Sequence, residues 1–303
     1  MSPTAGVIMA HHIETSSTYQ TSEVHARANG HAAIDSRPRR GIRHLATQVV
    51  LVVAAAIAYF GVRGLTEGSQ TTAVGNGNRV LDLERSLGID LEQTFQGAIL
   101  DHDTIVTAVN WIYIWGHWPV IGLTLAWLYR SRRASFLLLR NAMFISGAIG
   151  LVIFISFPVA PPRLMPSGFV DTVTELSTSY HVLQPPALVN KFAAVPSLHV
   201  GWNLLVGVLI FTRSCSKVAK LFALAGPALM AFAVVLTANH YILDAIAGSV
   251  VALAGLSAAG VLARRNHRRA SIGGTPNIDR CRVVTDLRCN HPEPESVASD
   301  RAA

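Results

Sequence analysis

Six stretches of this sequence are long and apolar enough to cross a lipid bilayer, and they leave little chain for anything else. They run from Leu45 to Val62 and over approximately 104–129, 136–158, 197–212, 218–237 and 242–263. A helix needs about 20 residues, at a rise of ~1.5 Å each, to cross ~30 Å of hydrocarbon, so about six transmembrane helices are expected. The run from Ser197 is short, and its start is expected to reach back into the preceding loop. Composition agrees: 14% of the 303 residues are charged and mean hydropathy is +0.38. Soluble domains carry about 25% charged residues, so this chain lacks the side chains to cover a water-facing surface. A soluble globular enzyme is not expected, and the expected fold class is all-α, a polytopic membrane helical bundle.

The connections between runs set an orientation. Arg37, Arg39, Arg40 and Arg43 precede the first run, and Arg130, Arg132, Arg133 and Arg140 flank the junction after the second. Arg213, Lys217 and Lys220 flank a third junction, and Arg264, Arg265, Arg268 and Arg269 follow the last run. Every second connection is basic, the mark of cytoplasmic loops. Both termini are therefore expected in the cytoplasm of a multi-pass cell-membrane protein, with connections 63–103, 159–196 and 238–241 on the extracytoplasmic face. The net charge of +7 belongs to these clusters, so it is an orientation signal and no nucleic-acid partner is expected.

Residues 1–43 and 264–303 are polar and lack hydrophobic periodicity. They are expected as a disordered cytoplasmic arm and tail around a membrane-embedded domain at 44–263. The first run is read as a retained signal anchor, with a secretory signal peptide as the alternative. Cys215 lies in a basic loop and Cys281 and Cys289 in the tail, a pattern that implies neither a disulfide framework nor a zinc site.

In the first outer connection, Gly75-Asn76-Gly77-Asn78 reads as a turn, and Leu83, Leu87, Leu91 and Phe95 then recur every fourth residue. That period predicts amphipathic helix lying on the membrane or packed on the bundle, a surface element without chemistry. Gly88 is expected to end one helix, and Asp90 with Gln93 to form a capping box for the next.

Three segments place polar residues where lipid is expected: Ala160-Pro161-Pro162-Arg163, Pro196-Ser197-Leu198-His199, and Asn239-His240-Tyr241-Ile242-Leu243-Asp244. One helix across the bilayer and one back separate the two histidines, so His199, His240 and Arg163 belong to the same face. His240 and Asp244 are four apart and share a helix face. Asp244 can accept a hydrogen bond from one imidazole nitrogen and leave the other as a nucleophile. A carboxylate inside an apolar run is costly unless paired, which favours this partnership. Ser197 is a candidate N-cap that turns first-turn amides near His199 toward an anion, and Arg163 offers a bidentate phosphate contact. Together these parts describe phosphoryl transfer through a phosphohistidine, with no metal and no cofactor.

The same residues resemble the type 2 phosphatidic acid phosphatase superfamily of integral membrane phosphotransferases, over roughly 40–265. Pro196-Ser197-Leu198-His199 is similar to its second motif, usually Pro-Ser-Gly-His, and His240 with Asp244 to the His-x-x-x-Asp end of its third. The resemblance implies that His240 is the nucleophile, Asp244 its orienting partner and His199 the acid that protonates the leaving alcohol. The family's Ser-Arg ahead of the histidine is Ala233-Val234 here, and its first motif, Lys-x6-Arg-Pro, is absent. With Ala-Pro-Pro-Arg, Pro-Ser-Leu-His-Val-Gly-Trp and Asn-His-Tyr-x-x-Asp, these departures resemble the inositol phosphorylceramide synthase-like branch. Leu83-Glu84-Arg85-Ser86-Leu87-Gly88 with Glu92 is similar to bacterial members of that branch.

The missing arginine leaves phosphate charge to other groups. Lys191 is a candidate, with a lipid-headgroup contact as its alternative, and Asn239 and Tyr241 are candidate hydrogen-bond donors. Asn110, Tyr113 and His117 share one face of the second run, as a cavity lining or as interhelical hydrogen-bonding residues. The expected function is transfer of an inositol-phosphate or similar headgroup from a membrane lipid to a lipid or polyol alcohol acceptor. Hydrolysis of a lipid phosphate is the close alternative. A transporter or flippase is the alternative of another class, but it calls for inverted repeats and midplane sites.

Overall fold

The computed structural model describes residues 37–65, 68–166, 168–176 and 190–272. Among them the chain forms helices α1 (Arg37–Leu65), α2 (Gln70–Leu87), α3 (Glu92–Leu100), α4 (Asp103–Trp115) and α5 (Trp118–Ser131). There follow α6 (Arg133–Ser156), a 3-10 turn at Pro162–Leu164, α7 (Thr172–Leu176), α8 (Leu198–Arg213), α9 (Lys217–Leu236) and α10 (Ile242–Ile272). The chain divides into two units, Met1–Ala56 and Ile57–Ala303. Most of the expected arm and tail lies outside the described residues. The helical segments overrun their expected limits, since α1 begins at Arg37 and α10 continues to Ile272. No glycine or proline interrupts 264–272, and Pro38 sits in the first turn of α1, where its missing N–H costs nothing.

Four segments are long and apolar enough to span alone: Ile42–Val62, Arg133–Ser156, Lys217–Leu236 and Ile242–Arg269. α8 is apolar but shorter. The run expected as one span over 104–129 is two helices, broken at Gly116 and His117. Pro119 explains the break, because a proline is tolerated in the first turn of a helix and not in its interior. α4 therefore ends with the Gly116 N–H on the Ile112 carbonyl, and α5 restarts with the Ile121 N–H on that of His117. The molecule is an all-helical polytopic bundle, with the helix inventory close to expectation.

α8 packs between α9 and α10, and α10 also packs along α6. Leu128, Leu139, Phe154, Trp202 and Leu205 fill the largest buried cluster. Exposed Leu123, Val152, Val218, Leu224 and Val250 face outward, as lipid contact requires. The crossing of α8 and α10 depends on two glycines. A Cβ on Gly248 would lie 2.0 Å from the Ser197 carbonyl oxygen, and one on Gly201 2.4 Å from that of Gly248.

The outer connection differs from expectation in two places. Gly75 to Asn78 continues α2, because Asn76 Nδ2 donates to the Pro158 carbonyl (2.8 Å) and Gly77 fits beneath Ala160 and Tyr241. Tertiary contact has overridden a local turn preference. The second difference is the capping box: α3 starts at Glu92 behind Leu91, without a side-chain cap. Gly88 does end α2, in the left-handed region at φ 67°. Leu83, Leu87, Leu91 and Phe95 are exposed, while Ala73, Asn76, Gly77, Val80, Leu81 and Glu84 form the buried face. Cys215 is disulfide-bonded, where the cysteine pattern implied no framework.

Candidate functional site

The turn between α9 and α10 brings His240 into the bundle. Ala238 takes a left-handed conformation (φ 53°), and the Asn239 and His240 N–H groups both donate to the Val234 carbonyl. This turn is anchored from two other loops. The Ala238 carbonyl accepts from the Arg163 N–H, and the Asp244 carbonyl accepts from the Ser197 N–H (both 2.9 Å). A parallel bridge between Val159 and Ala193 ties those loops to each other.

His240 is nearly buried, and its Nδ1 lies 2.8 Å from the Ala194 carbonyl oxygen and 3.2 Å from Asp244 Oδ2. Both neighbours are acceptors, so Nδ1 carries a proton, and in the neutral form of the ring the lone pair is on Nε2. Asp244 is fully buried; Oδ2 also accepts from the Tyr241 N–H at 2.9 Å. The i,i+4 pairing read from the sequence is present.

His199, in the first turn of α8, faces His240 with ring centroids 6.0 Å apart. Its ring stacks on Tyr113 (4.9 Å) and lies 4.4 Å from that of His117. His199, His240 and His117 line one cavity of about 30 Å³, whose wall also includes Tyr59, Phe60, Trp118, Phe154, Leu198 and Trp202. Of the polar stripe on the second run, Tyr113 and His117 reach the site. Asn110 instead exchanges hydrogen bonds with Thr172.

The expected phosphate ligands are held elsewhere. Arg163 Nε pairs with Asp171 at 3.2 Å, and another guanidinium nitrogen donates to Asn239 Oδ1. Asn239 Nδ2 is turned to Thr237. Tyr241 is fully buried, with its hydroxyl on the Ala160 carbonyl (2.9 Å), so it is no donor for substrate. Ser197 occupies the N-cap of α8 without a capping bond from its buried side chain. Lys191 is exposed on a turn. None of these five lines the cavity with the histidines. The side chains of Arg163, Asn239 and Tyr241 brace the loops that carry it.

Two carboxyl groups behind the His240 turn, Glu84 and Glu92, entered the sequence reading only through a resemblance and were given no role. Glu84 Oε1 accepts from the Leu243 N–H (2.8 Å) and Glu92 Oε1 from the Ile242 N–H (2.9 Å), so α2 and α3 cap the first turn of α10. Negative or acceptor groups are favoured at a helix N-terminus. Both glutamates are fully buried. Burial pushes the Glu84 carboxyl up to about 8, opposed by its bond to Leu243 and reinforced by Glu92 and Asp244. The legible signal was helical spacing, since Glu84 continues the buried stripe Ala73, Gly77, Val80.

Residues 78–258 match the family model described as the PAP2 superfamily. No curated protein and no solved structure matches.

Proposed function

This chain belongs to the PAP2 superfamily, a group of phosphatases and phosphotransferases, and we propose that it transfers a phosphoryl-linked group of a membrane lipid through a phosphohistidine. The observation that carries this is the His240 ring, held at Nδ1 by Asp244 and the Ala194 carbonyl and facing His199 across one cavity. His240 Nε2 attacks phosphorus, a P–N bond forms and the P–O bond to the leaving alcohol breaks. His199 gives that oxygen its proton. An acceptor hydroxyl then attacks phosphorus, His199 takes the acceptor's proton, and the P–N bond breaks to regenerate His240.

We assign the acceptor as an alcohol, in the manner of inositol-phosphate or similar headgroup transfer. The aromatic and aliphatic side chains in the wall support this, because positioning that excludes water favours a bound hydroxyl over bulk water. The alternation of basic loops supports a site facing the extracytoplasmic side, with both termini in the cytoplasm.

The test incubates the purified chain with phospholipid and polyprenyl-phosphate donors while acceptor alcohol is raised, and reads products by mass spectrometry. A new phosphodiester lipid should grow at the expense of free phosphate or phosphoheadgroup. If water remains the only acceptor throughout, the lipid phosphate phosphatase reading replaces this one. Alkali-quenched wild-type chain should retain a phosphoenzyme and His240→Ala should trap none, and unchanged turnover in that variant would end the proposal. For orientation, a chain with its native cysteines replaced by serine should react with an impermeant thiol reagent on intact cells when Ser86 becomes cysteine. The same chain with cysteine at Lys217 should not react.

A further inference from the structure

A phosphorylated substrate entering this cavity meets an unusual lining: three histidines, and no lysine, arginine, aspartate or glutamate among the described residues. Two of the histidines have tasks in the reaction proposed above, on which this inference rests. The third, His117, is held in one protonation state by its neighbours. Asn203 Nδ2 donates to the His199 carbonyl oxygen at 2.9 Å, which settles which end of the Asn203 amide is nitrogen. The same Nδ2 lies 3.1 Å from His117 Nδ1. Its second hydrogen can serve only an acceptor, so His117 Nδ1 holds a lone pair and the ring proton sits on Nε2. The ring is fixed in place, parallel to Trp202 (7° between planes, centroids 5.8 Å apart) and edge-on to Trp118. Its titratable neighbours in the cavity are His199 and His240, and no carboxylate joins the lining to draw a second proton onto it.

We propose that His117 is a substrate-binding residue, a neutral imidazole whose Nε2–H donates to a non-bridging phosphoryl oxygen. It thereby takes up part of the charge that the arginine missing ahead of His240 leaves unmet. Neutrality matters here, because His199 must hold a proton to act as an acid, and its ring centroid is 4.4 Å from that of His117. Two imidazolium rings at that separation would repel. Asn203 prevents this while bonding to the backbone of His199 itself.

The test uses the purified full-length chain and orthovanadate, which adopts the five-coordinate geometry of phosphoryl transfer, with inorganic phosphate as a second probe. Gln places its Nε2–H where His117 has its own, whereas Asn reaches only the position of Nδ1. His117→Asn should weaken vanadate inhibition and raise KM for a phosphomonoester by about 10- to 100-fold, the usual effect of losing a hydrogen bond to a charged group. His117→Gln should recover most of that loss. Equal weakening in both variants would mean that the ring only packs, and unaltered vanadate affinity in His117→Asn would equally overturn the assignment. Should both fail to fold, Asn203→Ala frees the tautomer and should still weaken vanadate; no change overturns it. A wild-type chain that vanadate does not inhibit takes the phosphohistidine reading down as well. Inhibition that needs His240 but ignores position 117 takes down this inference alone.

Discussion

The His240 turn has two faces that solve opposite problems. Toward the cavity stand aromatic and imidazole rings, with His117 and His199 among Trp118, Trp202 and Tyr113, and a space of about 30 Å³ beside them. Behind it stand buried acids: Glu84, Glu92 and Asp244 are each no more than 1% exposed, and all three accept backbone N–H groups of the turn or of the first turn of α10. Each face would fail in the other's place. Carboxylates in the cavity would repel a phosphate, and imidazoles behind the turn would offer fewer acceptors to its amides. The chemistry is thus carried by one face and the geometry by the other, with Asp244 as the contact between them.

Substitutions can break that division. The largest effect is expected at the contact itself. Asp244→Asn keeps an acceptor for the Tyr241 N–H but loses the charge beside Nδ1, and turnover should fall by roughly 1,000- to 10,000-fold, as in triad hydrolases. Burst-phase kinetics should show slowed phosphoenzyme formation; if only release were slowed, Asp244 would belong to the rear face alone. Next comes His199→Ala, where loss of the general acid should cost about 100- to 10,000-fold on an alkyl phosphoester. An aryl phosphate, whose leaving group needs no proton, should recover much of the rate, and equal damage to both substrates would contradict the assigned role.

Rear-face changes should register in stability first. Glu84→Leu orphans the buried Leu243 N–H and should cost about 1–3 kcal/mol in thermal or denaturant unfolding. A loss of turnover without a loss of stability would erase the division. Smallest, and most specific, is a pH effect. The Glu84 carboxyl stands at about 8 against an ordinary value of 4.5, so the folded chain keeps a proton that the unfolded chain has lost. Its stabilising contribution is complete below 4.5, declines as pH rises and is gone above about 8. Glu84→Gln removes that decline. The Tm difference between this variant and the wild type should therefore move in favour of Gln from pH 5 to pH 8 and then level off. A constant difference would mean that Glu84 is not protonated in the fold.

Local signals carried the reading of spans and of the His240–Asp244 pair. A run of apolar residues and a four-residue spacing are legible without knowing what lies opposite. The break at Gly116 and His117 was also locally signalled, by Pro119, whereas the other misread elements depend on distant partners. Gly75 to Asn78 stays helical because Pro158, Ala160 and Tyr241 receive it. His117 meets its tautomer-setting partner 86 positions later, and Glu84 reaches an amide 159 positions away. Tyr241 illustrates the reverse error. Beside His240 it invited a role at phosphate, yet its hydroxyl is committed to Ala160, 81 positions earlier. Proximity along the chain was a poor guide, because a tight turn sends neighbouring side chains to opposite faces.

The brevity of α8 has a consequence for how substrate must arrive. Its 16 residues span about 24 Å, against about 30 Å of hydrocarbon. With the Arg213 end at the membrane boundary, His199 lies about 9 Å, between one and two helical turns, below the opposite headgroup plane. A lipid can bring its scissile bond to that depth only by sinking, and its phosphate must shed hydration on the way down. Long acyl chains already in the bilayer make that descent cheaper than entry from water. Chain length and bilayer thickness should accordingly govern turnover, and the same headgroup on a short, water-soluble tail should be a poor substrate even at saturating concentration.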